Sequence, residues 1–99
     1  MSKNLHTPSM DLLLDGILTL KNRDEAYLFF EDLCTVGELS AISQRFAVAH
    51  MLKKECTYQE IAEATGASTA TISRVNRSVN YGNDGYEMIF QRLMEKENE

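Results

Sequence analysis

The sequence predicts an all-α protein with six helices, and three observations indicate this fold class. No segment alternates apolar and polar side chains for long with the period of two that marks a half-buried strand. The chain has a single proline, Pro8, and four of its five glycines fall where a helix joint is expected. Residues that cap the free N–H groups of a first helical turn precede the segments with helical apolar spacing.

The helix bounds follow from these caps and from the apolar stripes between them. The predicted helices cover about 8–21, 25–33, 36–54, 58–65, 69–80 and 85–96. Their predicted N-caps are Thr7, Asp24, Thr35, Thr57, Ser68 and Asp84. Glu38, Glu60 and Glu87 each follow a cap by three residues, which predicts three capping boxes. The third helix carries apolar residues on more than one stripe, so we expect it to be buried on two sides.

Length and composition bound the class of protein. With 99 residues and 43% hydrophobic side chains, the sequence predicts one globular domain over 1–99. A core this small is marginal alone, which favours a partner subunit. No apolar run reaches the roughly 18 residues that span a bilayer, and no signal-peptide pattern is present, so we expect a cytoplasmic protein without membrane contact. The net charge of -5 is unusual for a partner of nucleic acid.

Motifs for catalysis and metal binding are missing from the sequence. There is no phosphate-binding loop, nucleophile elbow or HExxH zinc motif, so we expect no enzyme, no catalytic residue and no cofactor. His50 has only Lys53 and Lys54 at the spacing where a second metal ligand would stand, so no metal site is predicted. Cys34 and Cys56 form neither a disulfide framework nor a CxxC pair.

Residues about 57–80 carry the pattern of a helix-turn-helix. Two short predicted helices flank a turn at Gly66, which tolerates positive φ, and Ala62 is small enough for a close helix crossing. We expect the pair to be locked by the apolar residues Ile61, Ala67, Ile72 and Val75. Thr65 replaces the usual hydrophobe before the glycine and is interpreted as a cap for the first helix of the pair.

The outer face of the second helix has the chemistry of a DNA recognition helix. Thr69, Ala70 and Ser73 are small enough for its N-terminal end to enter a major groove about 12 Å wide, and Arg74 and Arg77 follow. Between Gly66 and Tyr81 the sequence has no Asp or Glu. The alternative interpretation is an ordinary helical hairpin with a glycine turn, since such matches have false positives.

The run from Gly66 to Arg74 resembles the recognition segment of the Trp repressor, which also has glycine-alanine followed by alanine-threonine-isoleucine-threonine-arginine. The six-helix layout matches that family over nearly the whole chain. The continuation from Ser73 to Arg77, with Tyr81-Gly82 and Gly85-Tyr86, is closer to the YerC/YecD-type branch of Trp repressor-like proteins.

The resemblance implies an intertwined homodimer that binds a double-stranded DNA operator, with dimerisation helices at about 8–54 and 84–97. By matching position, Gln59 lies near a base edge, and Thr69, Ala70 and Ser73 face the groove floor. The residues implied to lie near phosphates are Asn76, Arg77 and Asn80. The full predicted DNA-binding set is Gln59, Ser68, Thr69, Ala70, Thr71, Ser73, Arg74, Asn76, Arg77 and Asn80.

The resemblance does not extend to the corepressor site. The Trp repressor clamps tryptophan with an arginine and leaves room for the indole at a glycine, and Gln44 and Val75 stand at those positions here. We therefore expect that tryptophan is not the corepressor, while a different small effector stays open. Residues of such a pocket are Gln44, Arg45, Thr71, Arg74, Val75 and Ser78.

Two further residue groups receive predictions. Tyr81 and Tyr86 flank a glycine turn and are expected to hold the last helix against the core rather than to stack on bases. Lys53 and Lys54 are candidates to add positive charge beside the recognition helix.

Two functions are compatible with the sequence. The first is a sequence-specific DNA-binding transcription regulator that acts as a repressor by occupying an operator. The alternative is an acidic helical dimer that has lost DNA affinity and serves as a protein interaction module.

Overall fold

The computed structural model describes residues 4–98, and all the regular structure within that range is helical. The six helices are α1 (Pro8–Ile17), α2 (Arg23–Leu33), α3 (Val36–Lys53), α4 (Tyr58–Thr65), α5 (Thr69–Tyr81) and α6 (Gly85–Glu97). The predicted all-α, six-helix fold is confirmed. The first helix is shorter than expected, because it ends at Ile17 and a turn precedes Lys21.

Four of the six predicted N-caps form as expected. Thr7 and Ser68 each accept a hydrogen bond from the backbone N–H three residues later, at 3.1 Å. Thr35 with Glu38 and Thr57 with Glu60 form complete capping boxes, in which each side chain accepts from the other residue's backbone N–H. These caps depend on neighbours in the chain, so the local sequence contains the information that sets them.

One predicted N-cap is wrong, and a second, Asp84, stands at the predicted position without making the predicted hydrogen bond. The second helix is capped by Asn22 rather than Asp24, because the Asn22 side-chain oxygen accepts from the backbone N–H of Glu25 at 2.9 Å. Asp84 has a left-handed backbone, with φ of 64°, and its side chain makes no capping hydrogen bond. Glu87 pairs instead with Lys53 of α3, so the carboxylate expected in the third capping box serves a tertiary contact.

The chain divides into two compact units, Met1–Leu39 and Ser40–Glu99. The first contains α1, α2 and the first turn of α3. Neither α1 nor α2 has a buried residue, although both carry apolar stripes. Leu12 is 74% exposed and Leu28 is 69% exposed, so apolar surface in this unit remains in contact with solvent.

The second unit contains the core. Seven residues are buried there: Val48, Ala49, Ile61, Ala67, Ile72, Val75 and Phe90. They come from α3, α4, the α4–α5 turn, α5 and α6, so one cluster joins all four helices of this unit. Phe90 also contacts the rings of Phe46 and Tyr86, with centroids 5.1 and 6.0 Å away.

No helix within residues 4–98 combines the length and apolar character needed to cross a bilayer. In the same range, His, Cys, Asp and Glu side chains do not gather in groups of three or more that could hold a metal ion.

The turn between α5 and α6 requires glycine at position 82. A Cβ on Gly82 would lie 2.4 Å from the carbonyl oxygen of Ser78, which belongs to the rigid backbone of α5. We expect Gly82→Ala to lower the free energy of unfolding by about 1–3 kcal/mol, because the backbone must shift to admit the methyl group. Urea denaturation measures the change.

Gly85→Ala is the matched control, because a Cβ there meets nothing within 4 Å. Equal stability of the Gly82→Ala and Gly85→Ala proteins would contradict the requirement for glycine at position 82.

Candidate nucleic-acid interface

The turn between α4 and α5 has the geometry that the sequence predicts. Gly66 ends α4 with φ of 75°, and its N–H donates to the carbonyl oxygen of Ala62 at 2.9 Å. Positive φ is the conformation for which glycine carries no steric cost. The chain therefore reverses sharply after Thr65 and begins α5 at Thr69, with three residues between the two helices.

Thr65 holds this turn together, which explains why a polar residue replaces the usual hydrophobe. Its hydroxyl donates to the carbonyl oxygen of Ile61 at 2.7 Å and accepts from the N–H of Ala67 at 3.1 Å. Its own carbonyl oxygen accepts from the Gln44 side-chain amide of α3, also at 3.1 Å. The predicted capping role of Thr65 is confirmed, and the turn gains three hydrogen bonds at one residue.

One face of α5 is buried. Ile72 is fully buried and Val75 is 3% exposed, and Val79 packs against the same cluster at the next turn. Ile61 of α4 and Val48 of α3 complete the contact. The four residues predicted to hold the helix pair together are therefore all in the core, and the pair packs against α3 through apolar contacts.

The opposite face of α5 is exposed and carries most of the predicted DNA-binding residues. Eight of these ten side chains are exposed, namely Gln59, Ser68, Thr69, Ala70, Ser73, Arg74, Arg77 and Asn80. Thr71 and Asn76 are half-buried. The hydroxyl of Thr71 accepts a hydrogen bond from Ser68, and the carboxamide of Asn76 accepts one from Asn80, each at 3.1 Å.

The charge on this face is positive. Arg74 and Arg77 are exposed, and within residues 4–98 neither guanidinium forms a salt bridge. Both groups are therefore available for anionic or base-edge acceptors. Lys53 is not equally available, because its ammonium pairs with Glu87. Lys54 remains exposed at the end of α3.

Tyr81 occupies a different place from the one predicted. Tyr86 packs against the core as expected, but Tyr81 is 85% exposed and does not hold α6. It stands four residues after Arg77 and seven after Arg74, so it lies on the same side of α5 as both arginines. Helical spacing alone would have shown this, because the turn at Gly82 begins only after Tyr81.

The six predicted effector-pocket residues are dispersed among different environments. Gln44 is half-buried and bonded to Thr65, Val75 is buried, and Arg45 is exposed. Ser78 lines a groove of about 500 Å³ at the end of α5, together with Phe46, Gly82, Asn83, Gly85, Tyr86, Met88 and Ile89. The other five predicted residues do not line that groove.

Comparison with known proteins places the chain in a family. Residues 8–94 match the family model described as Trp repressor protein. The chain belongs to the Trp repressor family. Over 95 residues it is 52% identical to the uncharacterized protein YerC of Bacillus subtilis, an alignment that covers 96% of this chain and 91% of YerC.

Two solved structures of Trp repressor-like proteins have the same fold. A TrpR-like protein from Eubacterium eligens superposes with a TM-score of 0.89 at 60% identity, and the match covers 93% of this chain and 95% of that one. A second TrpR-like structure, from Staphylococcus aureus, gives a TM-score of 0.88 at 53% identity, with the same coverage. The predicted family and its Trp repressor-like fold are confirmed, and this family consists of DNA-binding regulators rather than enzymes.

The two positions at which the sequence departs from the tryptophan site of the Trp repressor both hold side chains that contact other parts of this protein. Val75 is packed in the core, where the Trp repressor leaves room for an indole at glycine. Gln44 replaces the clamping arginine, and its amide is bonded to the protein's own Thr65 carbonyl.

Proposed function

We propose that this protein is a sequence-specific DNA-binding transcription regulator that uses the exposed face of α5 as its recognition surface. The observation that carries the proposal is the division of α5 into two faces. Ile72 and Val75 are buried on one face, while the other presents small and hydrogen-bonding side chains and two arginines that form no salt bridge within residues 4–98. The sequence has no acid between Gly66 and Tyr81. Such a surface suits the polyanionic and hydrogen-bonding major groove.

The side chains along α5 follow the order expected of a recognition helix, with base-contacting residues at its N-terminal end and phosphate-contacting residues further along. Thr69, Ala70 and Ser73 stand at the N-terminal end, where a recognition helix contacts base edges and thymine methyl groups. Arg77 and Asn80 lie one to two turns further on, at the level of the phosphates. Gln59, exposed near the start of α4, adds a contact at a base edge.

We further propose that the functional unit is a homodimer and that the whole of 1–99 acts as one DNA-binding domain. The support is the exposed apolar surface of α1 and α2, which have no buried residue within a single chain. A second copy would cover this surface. A dimer also presents two recognition helices to half-sites about one turn of DNA apart, roughly 34 Å.

The proposed regulator acts as a repressor that occupies its operator, and it does so without tryptophan. The buried Val75 and the Gln44 amide bonded to Thr65 support tryptophan independence, because Val75 fills the space that the indole needs and Gln44 cannot supply a cation at the clamping position.

The recognition surface is tested with a duplex that the wild-type protein enriches from a random pool. We expect Arg77→Ala to weaken binding of that duplex by about 1–3 kcal/mol per subunit and to lower the salt dependence of binding by about one phosphate contact per subunit. Arg92→Ala removes the same charge from an exposed position of α6 and should leave binding close to that of the wild type.

Equal affinity of the Arg77→Ala and Arg92→Ala proteins would contradict the assignment of the surface. Failure of the wild type to enrich any duplex at about 50 mM salt would favour the interaction module instead.

The dimer is tested by sedimentation equilibrium. We expect the wild type to sediment at about twice the chain mass of 11.2 kDa. Leu12→Lys places a charge on a side chain that is 74% exposed in one chain, so it should dissociate the dimer without unfolding a monomer core. Asp15→Lys, at a polar exposed position of the same helix, is the control. A wild type that sediments as a monomer would overturn the proposal.

Tryptophan independence is tested by calorimetry. We expect free tryptophan to give no binding heat with the wild-type protein, since Val75 occupies the position where the Trp repressor has glycine. Binding at micromolar tryptophan concentrations would contradict this part of the proposal.

A further inference from the structure

Gln44 makes one of two side-chain hydrogen bonds that join distant segments within residues 4–98. Its amide nitrogen donates to the Thr65 carbonyl oxygen across 21 positions of sequence, and the bond is partly buried. The other is the exposed pair between Lys53 and Glu87, which ties α3 to α6. The remaining side-chain hydrogen bonds join residues no more than four positions apart.

The acceptor of this bond lies at the joint of the helix-turn-helix. The last four carbonyl groups of a helix have no partner inside it, and that of Thr65 is one of them. The neighbouring N–H groups are already engaged, since that of Gly66 donates to Ala62 and that of Ala67 to the Thr65 hydroxyl. The Gln44 amide therefore satisfies a carbonyl that the turn itself leaves free.

This hydrogen bond adds an angular restraint to a contact with α3 that is otherwise apolar. Burial of Val48 with Ile61 and Ile72 stabilises the contact between the helix pair and α3, but the hydrophobic effect has no directional preference. A hydrogen bond does depend on angle, so it restricts how far the pair can rotate on α3. Base recognition tolerates little rotation, because contacts must be placed within about 0.5 Å.

We infer that Gln44 is a positioning residue, which fixes the angle of the α4–α5 pair on α3 so that α5 is held ready for DNA without any small ligand. This inference rests on the proposed function and deepens it. Gln44 itself does not contact DNA. It acts through the Thr65 carbonyl and the turn that Thr65 holds.

Two substitutions remove the donor with little change in shape. Gln44→Met keeps the length of the side chain and adds no charge, but it has no N–H group to donate. Gln44→Glu replaces the amide nitrogen with an oxygen, and an ionised carboxylate cannot donate a hydrogen bond. Gln91→Met and Gln91→Glu make the same changes at an exposed glutamine of α6 and serve as matched controls. Circular dichroism at 20 °C checks that each variant keeps the helix content of the wild type.

The readout is the ratio of affinities for the duplex that the wild type selects and for a scrambled duplex of the same length. We expect both Gln44 variants to lose about tenfold on the selected duplex, the effect of one lost directional bond, and to keep wild-type affinity for the scrambled one. A variant that was merely unstable would lose affinity for both duplexes alike. The Gln91 variants should match the wild type on both.

Equal affinity of wild type and both Gln44 variants for the selected duplex would overturn the inference while leaving the proposed function intact. So would an equal loss on both duplexes. If Gln44→Met loses helix content, Gln44→Glu, which differs by a single group, decides the outcome. Absence of any selected duplex for the wild type would instead refute the proposed function.

Discussion

The packing of the α4–α5 pair against α3 determines how the second unit is arranged. Ile61, Ile72 and Val48 are fully buried where these helices meet, and each such side chain contributes roughly 1.5–3 kcal/mol when removed from water. This burial leaves only one face of α5 in solvent. The glycine at position 66 and the three hydrogen bonds of Thr65 make the sharp joint possible, so the recognition surface follows from the packing behind it.

The charge distribution agrees with this arrangement. An acidic chain with a net charge of -5 is a poor partner for DNA if the charge is spread evenly, but the segment after Gly66 carries two arginines and no acid up to Tyr81. The Lys53–Glu87 pair neutralises a lysine that could have added to the positive surface. With so few free cations, we expect non-specific affinity to be low and discrimination to depend on base contacts.

Local signals made most of the fold predictable, and a tertiary contact accompanies the failure at Asp84. The caps at Thr7, Thr35, Thr57 and Ser68 involve residues three positions apart, so the sequence alone contains them. The capping box expected at Asp84 is not formed: the Asp84 backbone is left-handed and its side chain makes no cap, while Glu87 contacts Lys53, which is 34 positions away. The hydrogen bond of Gln44 with Thr65 could not be predicted for the same reason: no local pattern relates two residues 21 positions apart. The exposure of Tyr81, by contrast, could be predicted from its helical spacing to Arg74 and Arg77.

Contact between DNA and the exposed face of α5 can be observed through amide chemical shifts. ¹⁵N-labelled protein is titrated with the duplex that it selects, and shifts are mapped along the chain. We expect the largest changes in residues 68–80 and at Gln59, with α6 little affected. Changes concentrated in α1, α2 or α6, with α5 unperturbed, would contradict it.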